Sequence, residues 1–242
     1  YKVNFKKVTM IRGILIATTI FVIWEISCSF FNLPVFMLPP PSKVFASIYT
    51  NWSELLVHAS YTLVEILASI AIGSLIGITT ALIISSSVTL KRWIMPILLA
   101  SQSIPVFALA PLLILWLGYG MISKIVIGVL IVFFPITSNF TDALNKVPQE
   151  LIDAGKTLNL SKIQLFWKIK IPSSLPGLCS GLRVAACFAP IGAVVGEWIG
   201  GSTGLGSFMI YSNARLQTDN MFAALLILIF MTITIYKITD YV

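Results

Sequence analysis

The sequence predicts an all-α fold, a polytopic transmembrane helical bundle of about six spans that forms one domain over residues 1–242. Three observations predict it. Hydrophobic residues make up 57% of the chain and charged residues only 10%, against about 25% charged in a soluble domain. With a mean hydropathy of +0.96, so much apolar surface needs lipid as its solvent. Finally, the charges are confined to short segments between long apolar runs, and those runs carry small residues at helical spacing, as close helix packing in lipid requires.

The apolar runs cover roughly residues 10–31, 60–85, 93–117, 121–141, 174–199 and 219–239, each near the about 20 residues that cross the hydrocarbon. Lys2, Lys6, Lys7 and Arg12 flank the first run, as in a signal peptide. It is long and lacks a small-residue cleavage site, so it reads as a retained anchor. The chain opens at Tyr1 without Met and closes at Val242 inside an apolar run, so the natural protein is expected to extend at both ends. After span one, Leu38-Pro39-Pro40-Pro41-Ser42-Lys43 is a stiff extended stretch. Ser42 is expected to cap a helix reaching about Leu56, with Val44, Phe45, Ile48, Trp52 and Leu55 on one side, lying at the outer interface.

Span two carries Ser69, Gly73, Gly77 and Ala81 at four-residue spacing. Span three holds Pro96, Pro105 and Pro111, so a bent path is expected, and Gly118-Tyr119-Gly120 makes a tight turn into span four. Span five carries Gly177, Gly181, Ala185 and Ala189, then Gly192, Gly196 and Gly200. Two readings of that last row stay open: packing within one chain, or a seam between two copies or along a pathway.

Lys and Arg set the orientation. With the N-terminus in the cytoplasm, twelve lie inside, three (Lys43, Lys124 and Arg215) lie outside, and Arg183 is within a span. That bias obeys the positive-inside rule and puts residues 142–173 in the cytoplasm. The net charge of +7 therefore orients a membrane protein; no basic face is interleaved with aromatics, which excludes nucleic acid as a partner. Cys28, Cys179 and Cys187 all fall in apolar spans, no CxxC occurs, and His58 is the sole histidine. A Cys/His metal site and a disulfide framework are excluded on that pattern, and no catalytic residues emerge. Residues 200–206 are glycine-rich but lack a GKS/T ending and follow no strand, so they read as a flexible outer turn and not as a phosphate loop. Four ionisable residues sit within spans: Glu25, Glu65, Arg183 and Glu197. Glu65 and Glu197 are expected to reach the outer headgroups; Arg183 either pairs, with Glu25 as a partner, or touches a solute.

The charged island at residues 142–173 is the most informative stretch. Pro148 opens it, and Gln149 to Leu158 form a short helix with Leu151, Ala154 and Leu158 on one stripe. Asp153 and Lys156, three apart, meet on its surface. Asn159 suits a left-handed turn. A second helix runs from about Ser161 to Lys170, with Ile163, Phe166, Trp167 and Ile169 toward the membrane, and Pro172 marks the start of span five.

The landmarks Asp153-Ala154-Gly155, Asn159 and Ile169-Lys170-Ile171-Pro172 are spaced as in the docking loop of ABC importer permeases: Glu-Ala-Ala, three residues, Gly, nine residues, Ile-x-Leu-Pro. The chain departs at Asp153, Gly155, Asn159 and Ile171. The resemblance extends to the proline-marked outer segment, Pro96, Pro105, Gly181-Leu182-Arg183, and Glu197 before a glycine-rich turn. It is similar to the branch importing nitrate, taurine, aliphatic sulfonates and the pyrimidine precursor of thiamine. Residues 213–219, with Met221-Phe222-Ala223-Ala224, look most like the pyrimidine importers.

The resemblance implies a type I importer permease fold with a cytoplasmic coupling helix, in a bacterial inner membrane. It implies a homodimer of permeases, two copies of an ABC ATPase subunit, and an extracytoplasmic solute-binding protein. ATP and Mg would sit on the ATPase, since no Walker motif occurs here, and this chain would bind no cofactor. ATPase docking falls to Asp153, Ala154, Gly155, Leu158 and Asn159. For a small polar solute the pathway would use Ser101, Gln102, Phe107, Asn139, Arg183 and Glu197, with Phe107 or Trp198 to stack on a flat ring. Two rivals from other classes remain: an ion-coupled secondary transporter, which would place ionisable groups near broken helices at the midplane, and an intramembrane enzyme or assembly factor.

Overall fold

In the computed structural model the backbone is described for residues 2–241, and the side chains for residues 12–13 and 15–241. The cytoplasmic assignment of Lys2, Lys6 and Lys7 falls outside the described side chains. The elements are α1 (Lys2–Phe30), α2 (Pro41–Thr50), α3 (Trp52–Ser86), α4 (Val88–Gln102), α5 (Val106–Leu117), α6 (Met121–Asn145), α7 (Gln149–Thr157), α8 (Lys162–Leu165), a π-helical turn (Phe166–Lys170), α9 (Ile171–Gly200), α10 (Leu205–Ala214) and α11 (Thr218–Tyr241). No strand occurs among the described residues.

Three single helices, α3, α6 and α11, are long and apolar enough to cross a membrane, and so is the 39-residue rod Lys162–Gly200 that joins α8 to α9. The pair α4 and α5 forms a further candidate span bent by 93°. Its bend has a local cause: Pro105 caps α5, brings no N–H, and drives the preceding residue toward extended backbone. In α1 the described apolar stretch is Leu15–Phe30.

At the centre, α6 lies between α3 and α9, with Ile66, Val132, Ile136, Ala185, Ala186 and Ala189 as the buried core. The small-residue rows make this approach possible. A Cβ added at Gly192 would lie 2.7 Å from the Gly128 Cα, one at Gly181 would lie 3.0 Å from the Ile136 Cα, and one at Gly77 would lie 2.9 Å from the Phe133 carbonyl oxygen. The row in span five is therefore occupied by packing within one chain.

Three expectations about the outer segment are corrected. Pro41 at the first helical position starts α2 two residues early, with Pro40 in the cap position, so Ser42 is no cap. Its backbone N–H and Oγ instead donate to the two Glu25 carboxylate oxygens at 2.9 and 2.8 Å. Glu25 is thereby taken, and Arg183 pairs with Asp240 at 2.6 Å, not with Glu25. The helix does not reach Leu56 either: the backbone leaves helical geometry at Asn51, and Leu55 belongs to α3. Val44, Leu55, Leu205, Phe208, Ala223 and Ala224 then close a second core, joining α2, α3, α10 and α11.

Candidate functional site

Between α6 and α9 the chain folds an elbow. Pro148 precedes α7, where its missing N–H costs nothing. On the exposed face the Asp153 carboxylate accepts from Lys156 Nζ at 2.8 Å and from Gln149 Nε2 at 3.0 Å. The Lys156 ammonium first, then the Gln149 amide, holds its carboxyl below the ordinary value of 3.8. The helix ends with Asn159 in the left-handed region at φ 55°. The Asn159 and Leu160 N–H groups donate back to the Lys156 and Gly155 carbonyls at 2.8 and 3.1 Å, satisfying the last turn. Ser161 and Gln164 then form a reciprocal capping box that restarts the helix.

From there the path continues without a break. Pro172 follows the π-helical turn as the second residue of α9, and the backbone stays helical through Lys170 and Ile171 before it, so the second elbow helix and span five are one rod. Gly155, the fully buried residue of α7, faces inward, and a side chain there would collide with Leu165 and Ile169. Ile169 therefore closes the elbow instead of pointing to the membrane as expected, while Ile163 and Trp167 stay exposed. The edge left open on α7 is Leu151, Ala154 and Leu158, with Leu158 74% exposed.

A groove between the bent pair and the α6–α9 core brings together Gln102, Phe134, Pro135, Ser138, Asn139 and Phe188. Asn139 Nδ2 donates to the Pro135 carbonyl at 2.8 Å, and its amide oxygen stays available. Ser101 and Phe107 are exposed beside this face. Arg183 and Glu197 do not line it.

Glu197 belongs to a buried knot at the other end of the bundle. Lys124 Nζ donates to Glu65 Oε1 and to the Thr203 carbonyl, both at 2.9 Å. Thr62 Oγ1 donates to Glu197 Oε1 at 2.6 Å, and the Gly206 N–H donates to Glu197 Oε2 at 2.5 Å. The Leu205 N–H reaches Thr62 Oγ1 at 2.8 Å, and the Gly204 N–H reaches His58 Nδ1 at 3.0 Å. A carboxylate at the start of α10 complements the helix dipole.

Glu65, Lys124 and Glu197 are all buried. They do not reach headgroups or outer solvent as expected; each has a polar partner inside the bundle, although Glu65 Oε2 is buried without one. The end of the glycine-rich turn is tied into this knot through the N–H groups of Gly204, Leu205 and Gly206. Only Gly fits at position 204, where φ is 112° and the Glu197 carboxylate occupies the space of a side chain.

The family model described as binding-protein-dependent transport system inner membrane component matches residues 73–242. The chain belongs to that family. This permease is 44% identical over 235 residues to a probable ABC transporter permease protein of Haemophilus influenzae, covering 97% of this chain and 96% of the relative. It is 38% identical over 207 residues to the formylaminopyrimidine transport permease protein ThiX of Halalkalibacterium halodurans, covering 86% and 83%. Its fold is similar to that in an inward-facing structure of the MetNI methionine ABC transporter, with a TM-score of 0.67 over 78% of this chain and 94% of that one, at 22% identity. The permease is thus a multi-pass inner-membrane component of an ABC importer with the type I permease fold. Family membership removes the ion-coupled alternative, and the paired Arg183 no longer supports it.

The permease arranges its predicted residues in three places. Asp153, Ala154, Leu158 and Asn159 are exposed on the elbow, while Gly155 is buried beneath them. Gln102 and Asn139 share the groove. Arg183, through Asp240, and Glu197, through the knot, are structural partners of other elements. Sequence reading missed Thr62, Lys124, Thr203 and Asp240. The one available signal was that Glu65 and Lys124 are opposite charges within or beside apolar spans.

Proposed function

We propose that the permease is driven through its elbow. Two copies form one pathway, each α7 docks in a cleft of an ATPase subunit, and a solute-binding protein delivers cargo on the other face. The N-terminus lies in the cytoplasm. This chain makes and breaks no bonds and holds no cofactor; ATP and Mg belong to the ATPase. The observation that carries the proposal is mechanical. A short helix with an open apolar edge is closed around Gly155 onto a rod that runs unbroken from Lys162 to Gly200. Such an edge suits a groove on a partner, and force on α7 would tilt α9 as a rigid body.

The solute is a small, flat pyrimidine of the hydroxymethylpyrimidine type, a thiamine precursor. The printed function of the ThiX relative supports this. So does a groove that sets the amides of Gln102 and Asn139 beside Phe134 and Phe188.

Co-purification with the cognate ATPase tests the docking. Leu158→Asp is expected to abolish co-elution while leaving membrane insertion intact; undiminished co-elution contradicts it. Thermal-shift screening of the cognate binding protein tests the solute: pyrimidines should stabilise it, and preference for taurine, other sulfonates or nitrate would move the assignment to that branch and leave the docking untouched.

A further inference from the structure

A cavity of about 420 Å³ lies in the angle between the elbow and the inner end of α3. Its polar wall is Ser85, Ser86, Lys162 and Lys170, its apolar wall is Phe166 and Trp167 with their neighbours, and no acidic residue lines it. Ser85 Oγ is buried without a hydrogen-bond partner. Neither lysine forms an ion pair among the described residues. Two lysines without an acidic partner and two serines, Ser85 with its hydroxyl unpartnered and Ser86 donating to the Ile83 carbonyl at 2.7 Å, thus line a space walled by Phe166 and Trp167.

The π-helical turn accounts for the two lysines lining one space. At 3.6 residues per turn, eight residues would leave Lys162 and Lys170 about 80° apart around an α-helix. A π turn takes up one extra residue, which brings them to within about 20° of each other. On the cavity's apolar wall, Trp167 is 61% and Ile163 is 73% exposed. Trp beside Lys at the end of an apolar rod is the pattern of the membrane–water boundary.

We infer that this cavity binds the phosphate of an anionic phospholipid, with Lys162, Lys170, Ser85 and Ser86 on the headgroup and Phe166 and Trp167 against the glycerol and first methylenes. Basic pockets between helices at the cytoplasmic boundary take such headgroups. The site would fasten the elbow to the bilayer surface, giving the lever a fulcrum. The inference is independent of ATPase docking, because it is measured on the permease alone.

The test titrates the purified full chain in detergent with phosphatidylglycerol, with phosphatidylcholine of equal chain length, and with inorganic phosphate. Melting temperature and lipid adducts in native mass spectrometry are the readouts. Phosphatidylglycerol is expected to raise the melting temperature and leave a retained adduct that phosphatidylcholine does not. The double variant Lys162→Gln/Lys170→Gln should weaken it about thirty-fold, on the order expected for two lysines at a membrane surface. Lys43→Gln, an exposed lysine at the start of α2, should bind like the wild type. Equal retention of both lipids, or an unchanged affinity in the double variant, overturns the site. Inorganic phosphate binding as tightly as the lipid makes it a free-anion site and overturns the lipid assignment. Should the double variant not fold, quenching of Trp167 by brominated phosphatidylglycerol, with Trp167→Phe as the blank, decides occupancy; no difference between the two proteins counts against it.

Discussion

Lys124 is the residue on which one end of the bundle turns. It joins α6 to α3 through Glu65 and to the turn after α9 through the Thr203 carbonyl. Removing one member of a buried pair costs about 3–5 kcal/mol, because the other charge is left uncompensated. Lys124→Met is therefore expected to lower the melting temperature sharply, and Glu65→Gln added to it should recover part of the loss. A melting temperature within a degree or two of wild type would show that the pair is not needed. Asn159 makes a smaller contribution of a different kind. Its left-handed backbone would cost a β-branched residue about 1–2 kcal/mol. Asn159→Val should loosen the elbow and speed hydrogen exchange at Leu160, while Asn159→Gly should not. Asp153 gives a pH test. Its carboxyl is held below the ordinary 3.8, so its pairing is complete above the usual Asp range and is lost as pH falls through the depressed value. Docking of the wild type relative to Asp153→Asn should then be constant between about pH 5 and 8; a change inside that window would contradict the pairing. Much of this was readable from residue types: the Asp153–Lys156 pair and the Asn159 turn follow from local spacing. The Glu65–Lys124 contact was not, because its members lie 59 positions apart. Lys124, close to a turn, reads as solvent-exposed until α3 is placed beside α6.

At the scale of elements, the α6–α9 crossing sets the shape of the bundle. Gly192 meets the Gly128 backbone there, so neither helix can yield by rotating a side chain. Gly192→Leu is expected to destabilise the protein by at least about 1–3 kcal/mol. Gly13→Ala, in α1 with nothing within 4 Å, should instead gain up to about 1 kcal/mol of helix propensity. Melting curves of the two variants check the contrast, and similar losses from both would show that the crossing is not tight. The four-residue rows announced close packing but not which helix they would face, since small residues record proximity and not identity. The prolines of span three announced a bend, and the 93° angle follows from Pro105. Pro172 was the misleading one: a proline reads as a boundary in sequence, yet the backbone stays helical at Lys170 and Ile171 before it and the rod runs on. Nothing in the sequence pointed to the π turn, because one extra residue in a turn leaves the apolar pattern almost unchanged.

For the whole molecule, the two ends of the bundle are built differently. At one end, buried charges and the N–H groups of residues 204–206 bind α3, α6, α9 and α10 into a fixed assembly. At the other end the elbow projects an uncovered apolar edge from the end of the longest rod. A stiff body gripped at one end and pushed at the other tilts as a unit, which is how an ATPase would open and close a pathway along the groove of Gln102 and Asn139. The most direct test replaces Leu158 with a photo-crosslinking residue and illuminates the assembled transporter in native membranes. The account predicts an adduct with the nucleotide-binding subunit whose yield changes when ATP is added. Adducts with only lipid, or only with a protein on the outer face of the membrane, would contradict it.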